Sequence, residues 1–420
     1  MEELDWFIGF DWASEKHRAC ICDHSGRLIA ERDVVHGGAG LGEFFAWLME
    51  KTAAQPTQIG IAIETPHGPI VEGALERGFR VYALNPKQLD RFRDRFTVAG
   101  AKDDSRDTHV LSDALRTDRH AFRRVAIDDP IVIELREWSR LAEDLTQERN
   151  RLTNRVREQL WRYYPQALKL SDDLGIEWFI ALWLQAPTPK KAARLNRTTV
   201  GRIFKAHRVT RLTAEEALRI LRETPLTVAA GAVEAATAHI ETVFERLRLV
   251  NAQLKKAHKK LDELCARLQA QEENEPGQAP EQRDVTILRS CPGVGRTVLA
   301  TLLGEARQPL ERRDYHVLRV LSGAAPVTRR SGKSCLVVRR QACNKRLQQA
   351  LYHWARVAVQ HDPACRSRYA ELRRRGHSHG RALRTVGDRL LRVACTLLER
   401  QVPFDPLHTS NPGQTQAAAA

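Results

Sequence analysis

The order of strand and helix signals in the first 118 residues is the feature that most restricts the fold of this 420-residue chain. Short apolar stretches predict three strands, and turn residues such as Asp23-His24-Ser25-Gly26 predict hairpin connections between them. Strand and helix signals then alternate, which predicts a mixed sheet flanked by helices. The expected strands are 6–11, 17–23, 28–35, 58–64 and 80–85, and the expected helices are 41–52, 69–78, 87–96 and 104–117.

Acidic residues lie where two of these strands end. The strand order matches the ribonuclease H-like (RuvC-like) α/β architecture, in which the first and fourth strands are neighbours. Asp11 ends the first and Glu64 ends the fourth, although strands disfavour acids. Asp104 and Asp107 are three residues apart and share one face of a predicted helix. Clustered carboxylates are ligands that Mg²⁺ prefers, so the four acids predict a two-metal phosphodiester site.

A simpler interpretation of the acidic pair is also open. Asp103 or Asp104 can cap the predicted helix, and Asp107 can be a solvated acid of its first turn that favours the helix dipole. In that case the pair would have no catalytic role.

Composition favours a polyanionic partner. Lys and Arg number 67 against 52 Asp and Glu, a net charge of +15, which predicts salt-dependent binding to nucleic acid. A merely solvated basic protein is the alternative. The eight cysteines lack zinc-site spacing, and we expect reduced thiols in a cytoplasmic protein. We find neither a signal peptide nor a run of ~20 apolar residues, so we expect no membrane partner.

Beyond the first domain, which we place at 1–125, the sequence predicts long helices. One opens at Asp129-Pro130, and a heptad pattern runs from Val233 to Leu268. These helices could pair as a coiled coil within the chain or between subunits. We expect a coiled-coil region at 126–282, with a basic helical insert at 166–230 and a linker at 269–282, then a mostly helical domain at 283–402 and a disordered tail at 403–420.

The C-terminal domain carries two glycine-containing motifs. Gly293 and Gly295 lie in a segment that looks like a helix-hairpin-helix element, where backbone amides can bind a DNA phosphate. An ordinary glycine-rich helix connection is the alternative. Further on, Ser331 lies beside several cations and could attack a phosphodiester, although an isolated loop serine usually has no such role. We expect the surrounding cations to anchor phosphate: Arg329, Arg330, Lys333, Arg339, Arg340, Lys345 and Arg346.

Taken in order, the motifs resemble those of the DEDD-type insertion-sequence transposases, the "one-ten" family. Asp103 and Cys343 depart from the family pattern, which more often has Thr and Gly there. The matching runs are Gly9-Phe10-Asp11, Ile63-Glu64-Thr65, Lys102 to Asp107, Pro292 to Gly295, Ser331-Gly332 and Asn344 to Leu347.

The resemblance implies a RuvC-like domain, a coiled coil for assembly and a C-terminal domain with a catalytic serine. It implies that Asp11, Glu64, Asp104 and Asp107 bind Mg²⁺ and that Ser331 joins covalently to a DNA 5′-phosphate. It further implies a homo-oligomer (a dimer or tetramer) with a site composed from different subunits, a structured guide RNA and double-stranded DNA as substrate. Such a protein would be prokaryotic and associated with the nucleoid.

Two other functions remain open from the sequence. A hydrolytic RuvC-like junction nuclease would use the acids with water as the attacking group. An inactive relative would bind nucleic acid without cutting it.

Overall fold

The structure, a computed structural model, describes residues 4–95, 104–125, 129–229, 231–272, 283–332 and 334–406. The chain divides into two compact units, Met1–Asp129 and Pro130–Ala420. Within these described ranges, no helix combines the length and apolarity needed to cross a bilayer.

The first unit is a mixed sheet, as the sequence predicted. Its strand order is β3-β2-β1-β4-β5-β6, with β1 antiparallel to β2 and parallel to β4. The first and fourth strands are therefore neighbours. The elements are β1 (Trp6–Asp11), β2 (Lys16–Asp23), β3 (Leu28–Val35), α1 (Gly38–Thr52), β4 (Ile59–Ile63), α2 (Pro69–Glu76), β5 (Arg80–Ala83), α3 (Pro86–Arg93), α4 (Asp104–Asp118) and β6 (Arg123–Arg124).

Helices cover both faces of this sheet because the strands are apolar on both sides. Ile8 and Phe10 of β1 point into a core shared with α1 and α2. Phe7 points to the opposite face, into a core shared with α3 and α4. On this second face the central strands also carry small residues, Gly9 in β1 and Ala62 in β4, and these leave room for a helix to approach closely.

The second unit is mostly helical, again as predicted, and one continuous apolar core runs through it. The sequence did not predict the two strands it contains. Its elements are α5 (Pro130–Tyr163), α6 (Glu177–Gln185), α7 (Pro189–Arg194), α8 (Arg197–Ala206), α9 (Ala214–Leu221), α10 (Ala232–Glu272), α11 (Asp284–Ser290), α12 (Arg296–Glu305), α13 (Arg307–Glu311), α14 (Tyr315–Leu321), β7 (Val327–Ser331), β8 (Ser334–Val338), α15 (Lys345–His361), α16 (Pro363–Arg374) and α17 (His379–Arg400).

The two long helices α5 and α10 pack against each other within the chain. Ion pairs such as Lys260 with Glu134, at 2.8 Å, join them along their length. Coiled-coil geometry and subunit assembly stay predictions. Nearly all the predicted heptad positions of α10 are buried in the core: Ala236, Ile240, Val243, Leu247, Val250, Ala257, Leu261, Leu264 and Leu268.

The start of the predicted linker at 269–282 is corrected by the structure. Helix α10 continues to Glu272, four residues into that segment. Gln, Ala and Glu are good helix formers, and the first helix-breaking proline is Pro276. Residues 273–282 lie outside the described part of the chain, as do residues 407–420 of the predicted tail.

A largely buried ion pair connects α5 to the end of α12. Arg140 Nε donates to Glu305 Oε1 at 2.8 Å, and Asn344 Nδ2 donates to Glu305 Oε2 at 2.8 Å. Burial by itself raises the pKa of the Glu305 carboxyl, but these two hydrogen bonds and the Arg140 charge hold it below its ordinary value. Because Asn344 also caps α15, the carboxylate ties three helices together.

We predict that Glu305→Gln lowers the free energy of unfolding by about 2 kcal/mol at pH 7, because the Arg140 guanidinium loses its buried charged partner and keeps only the exposed Glu137. The folded pKa lies below the unfolded value of 4.5, so this stabilisation is complete above pH 4.5 and is lost as the pH falls through the folded pKa. Urea unfolding from pH 3 to 8 measures the difference. Glu311→Gln, which removes an exposed pair with Arg307, is the control and should cost less than about 0.5 kcal/mol. Equal effects of both variants would contradict the prediction.

Candidate active site

The two strand-terminal acids lie at one edge of the sheet. β1 and β4 run parallel with Phe10 opposite Ile63, so the next residues in register are Asp11 and Glu64. Side chains alternate along a strand, and Asp11 therefore lies on the same face as Gly9, the face covered by α4. Both acids are partly buried. The strand register thus supports the prediction that Asp11 and Glu64 are neighbours.

Helix α4 reaches this edge by crossing β1 at Gly9. A Cβ atom built on Gly9 would lie 1.7 Å from the carbonyl oxygen of Thr108 and 2.6 Å from its carbon. No side chain fits in that space, so only glycine permits the approach. The helix backbone that contacts β1 belongs to the residue next to Asp107, and the crossing brings Asp107 towards the strand ends.

Asp107 is buried and its carboxylate is bound by Arg93. Arg93 Nε donates to Oδ1 at 2.6 Å and Nη2 donates to Oδ2 at 2.7 Å. Burial by itself lowers the pKa of the Arg93 guanidinium, but Asp107, together with Asp90 and Glu64, raises it above its ordinary value. Glu64 is therefore near enough to act on the same guanidinium. Arg93 was not predicted as a site residue, because nothing in the local sequence pattern distinguishes it from a solvated helix arginine.

A second set of contacts positions the start of α4. Ser105 Oγ donates to Glu31 Oε1 at 2.7 Å, and Arg18 joins Glu31 to Asp33. Arg18 lies opposite Asp11 in the β1–β2 register. The first turn of the helix is thus held to β2 and β3 by charged groups beside the acidic edge.

The donor chemistry at this edge suits a divalent cation, since Asp11, Glu64 and Asp107 all offer carboxylate oxygens. Among the described side chains, however, no group of three possible ligands is already arranged around a metal position. The side chain of Asp104 lies outside that description, and so does Asp103. The fourth predicted acid is therefore placed only by its backbone, at the start of α4.

Ser331 lies at the tip of an exposed two-stranded ribbon. It ends β7 and pairs with Ser334 of β8 across a two-residue turn, in which Gly332 has a φ of +54°. Val327 and Val338, at the end of the ribbon away from the turn, are half-buried. The other residues of both strands are exposed, Arg329 and Arg330 included. Lys333 lies outside the described residues.

The other predicted phosphate anchors already have protein partners. Arg346 pairs with Glu143 and Asp144 of α5, and Arg339 Nη2 donates to Gln348 at 2.6 Å. Arg340 and Lys345 donate to the backbone carbonyls of Ala325 and Gln341. Phosphate binding by these four residues stays a prediction.

The two glycines of the predicted helix-hairpin-helix element differ from each other. Gly293 has a φ of +84°, and a Cβ built on it would lie 2.7 Å from the backbone nitrogen of Ala358. It is needed where the turn packs against α15. Gly295 faces open space at the N-cap of α12. Of the two, Gly295 is free to approach a phosphate.

The mixed sheet with acids at the ends of its central strands is consistent with the ribonuclease H-like class of nucleic-acid enzymes. Residues 8–165 match the family model of the DEDD transposases of IS110, described as "Transposase". Residues 285–370 match the family described as "Transposase IS116/IS110/IS902 family".

Individual relatives agree with these matches. The "Mini-circle putative transposase for IS117" of Streptomyces coelicolor is 33% identical over 100% of this chain and 99% of its own. The "Putative transposase y4uE" of Sinorhizobium fredii is 57% identical, over 51% of this chain and 60% of its own. The "Insertion element IS110 uncharacterized 43.6 kDa protein" of Streptomyces coelicolor is 25% identical over 94% of this chain. The chain belongs to the IS110 family of transposases, enzymes that cleave and recombine DNA.

We predict that Gly9→Ala displaces α4 and lowers the free energy of unfolding by about 3 kcal/mol, because the added methyl group overlaps the Thr108 carbonyl. Divalent-cation-dependent DNA cleavage should be lost with it. Gly42→Ala on α1 is the control, since a Cβ there meets open space. Urea unfolding compares the two variants, and a Gly9→Ala protein as stable as Gly42→Ala would show that α4 does not depend on this contact.

Proposed function

We propose that this transposase recombines the DNA of a mobile element through a covalent 5′-phosphoserine intermediate at Ser331, with Mg²⁺ and a structured guide RNA. The observation that carries the proposal is the register of β1 and β4, which makes Asp11 and Glu64 neighbours on the face where α4 brings Asp107. A divalent cation held by these acids would neutralise charge on a scissile phosphate. A homo-oligomer, in which acids and serine of different subunits meet, belongs to the same proposal.

In the proposed reaction the Ser331 hydroxyl attacks phosphorus. A bond forms between Oγ and phosphorus while the bond to the 3′ oxygen breaks, and the released 3′ oxygen gains the proton that the serine loses. A 3′ hydroxyl of another strand then attacks the phosphoserine and releases Ser331. The number of phosphoester bonds is unchanged, so strand exchange needs no nucleotide hydrolysis.

The exposed ribbon supports this role for Ser331. Arg329 and Arg330 precede the serine on β7 and are exposed. Arg329 lies on the same face as Ser331 and can neutralise phosphate charge near the attack, whereas Arg330 lies on the opposite face of the ribbon. A two-stranded ribbon also fits the width of the DNA major groove. Ser331 is therefore presented where a duplex can reach it, rather than buried in the core.

We predict that labelled element-end DNA with Mg²⁺ forms a covalent adduct with the wild-type protein and none with Ser331→Ala. Ser334→Ala is the matched control, because Ser334 lies opposite Ser331 on the same ribbon, and it should keep the adduct. Asp11→Asn and Asp104→Asn should each reduce adduct formation at least about 100-fold by removing a carboxylate from the cation site. Denaturing electrophoresis measures the adduct.

The same experiment separates the other functions. Cleavage without an adduct, unchanged in Ser331→Ala, would identify a hydrolytic nuclease. Binding without cleavage, under matched DNA and RNA conditions, would identify a nucleic-acid-binding protein.

The helical insert supports the RNA part of the proposal. Helices α7 and α8 are short, and their basic side chains point to solvent, as expected for a surface that follows a phosphate backbone. Arg197 pairs with Glu215 of α9, and its side chain stays largely exposed. The exposed basic residues here are Lys190, Lys191, Arg194, Arg197, Arg202, Lys205 and Arg208.

We predict that changing Lys190, Lys191 and Arg194 together to Ala weakens binding of a structured RNA from beside the gene by about tenfold and lowers its salt dependence. The control changes Lys255, Lys256 and Lys259 of α10 to Ala, which removes the same charge from another exposed surface. Filter binding at several salt concentrations measures both. Equal losses would indicate that only overall charge matters.

A further inference from the structure

Arg93 occupies the position beside Asp107 where the proposed function requires a metal ion. Both carboxylate oxygens of Asp107 accept from the guanidinium, at 2.6 and 2.7 Å, and the Asp107 side chain is only 4% exposed. A guanidinium and a divalent cation held by the same carboxylate repel each other. The contact between Arg93 and Asp107 therefore opposes metal binding.

We infer that Arg93 is a positioning residue that holds Asp107 while the metal is absent and must release it when a divalent cation binds. This inference rests on the proposed function, because it takes Asp107 as a metal ligand. Without Arg93, the Asp107 carboxylate would face the like charge of Glu64 in a partly buried site, which is unfavourable. The arginine thus neutralises the acids of the metal-free protein.

Asp90 offers Arg93 an alternative partner. Arg93 Nη1 already donates to Asp90 Oδ1 at 2.6 Å, one turn earlier on α3, and that carboxylate is 66% exposed. The guanidinium can therefore turn towards Asp90 and solvent without losing every anionic contact. Such a movement needs only side-chain rotation at the last residue of α3.

A DNA phosphate would favour the same movement. The guanidinium fork that fits a carboxylate fits a phosphate equally well, through two parallel hydrogen bonds. When a phosphodiester approaches the acidic edge, Arg93 can exchange Asp107 for the phosphate, and Asp107 becomes available to the cation. Metal binding would then be coupled to the arrival of substrate.

The test is Mn²⁺ binding without DNA, measured from the electron paramagnetic resonance signal of free Mn²⁺. Arg93→Gln should bind Mn²⁺ about tenfold more tightly than the wild type, since one charge-assisted pair no longer competes. Arg91→Gln, an exposed arginine on the same helix, is the control and should bind as the wild type does. Arg93→Lys keeps the charge without the fork and should give an intermediate affinity, which provides a second variant if Arg93→Gln unfolds.

Asp107→Asn distinguishes failure of the inference from failure of the proposed function. If Asp107→Asn weakens Mn²⁺ binding but Arg93→Gln does not strengthen it, Asp107 is a ligand and the inference alone is wrong. If neither the wild type nor Arg93→Gln binds Mn²⁺, the proposed metal site fails and the inference fails with it. Addition of element-end DNA should raise the Mn²⁺ affinity of the wild type more than that of Arg93→Gln, and an equal rise would contradict the substrate coupling.

Discussion

The candidate site depends on the contact between a glycine and a carbonyl oxygen. Because Gly9 has no side chain, the backbone of α4 can lie directly on β1. The strand fixes Asp11 through its own register, whereas Asp107 belongs to a separate helix whose distance from the sheet is set by that contact. An acidic site assembled from strand ends and a helix needs such a close packing point, because a carboxylate reaches only a few ångströms from its backbone.

Arginines in this protein have two different roles. Some have fixed partners: Arg140 neutralises the buried Glu305, and Arg346 links α15 to Glu143. Others, such as Arg329 and Arg330, extend from an exposed ribbon. Net charge alone does not separate these groups, because both contribute equally to it. Only the exposed residues are free to meet a polyanion, so the basic surface is smaller than the composition implies.

The sequence predicted the elements whose pattern is local. Strands β1 and β4 were recognised because apolar side chains fill both faces, and α10 was recognised from its heptads. The ribbon was missed because its side chains face solvent and show no apolar alternation. Arg93 was missed for another reason: its partner Asp107 is 14 residues away and meets it only through tertiary packing. The packing of Gly293 against α15 could not be predicted from the sequence either, since a glycine at this position also suits a phosphate-binding loop.

Because Ser331 lies immediately before the two-residue turn, its distance along β7 decides which face of the ribbon carries its hydroxyl. Side chains alternate between the two faces of a ribbon, so Ser331 shares its face with Arg329 and, across the ladder, with Leu336. One residue inserted into β7 before Ser331 would turn the hydroxyl to the opposite face of the ribbon. The identity of the other ribbon residues does not enter this constraint, whereas the spacing from Val327 to Ser331 does.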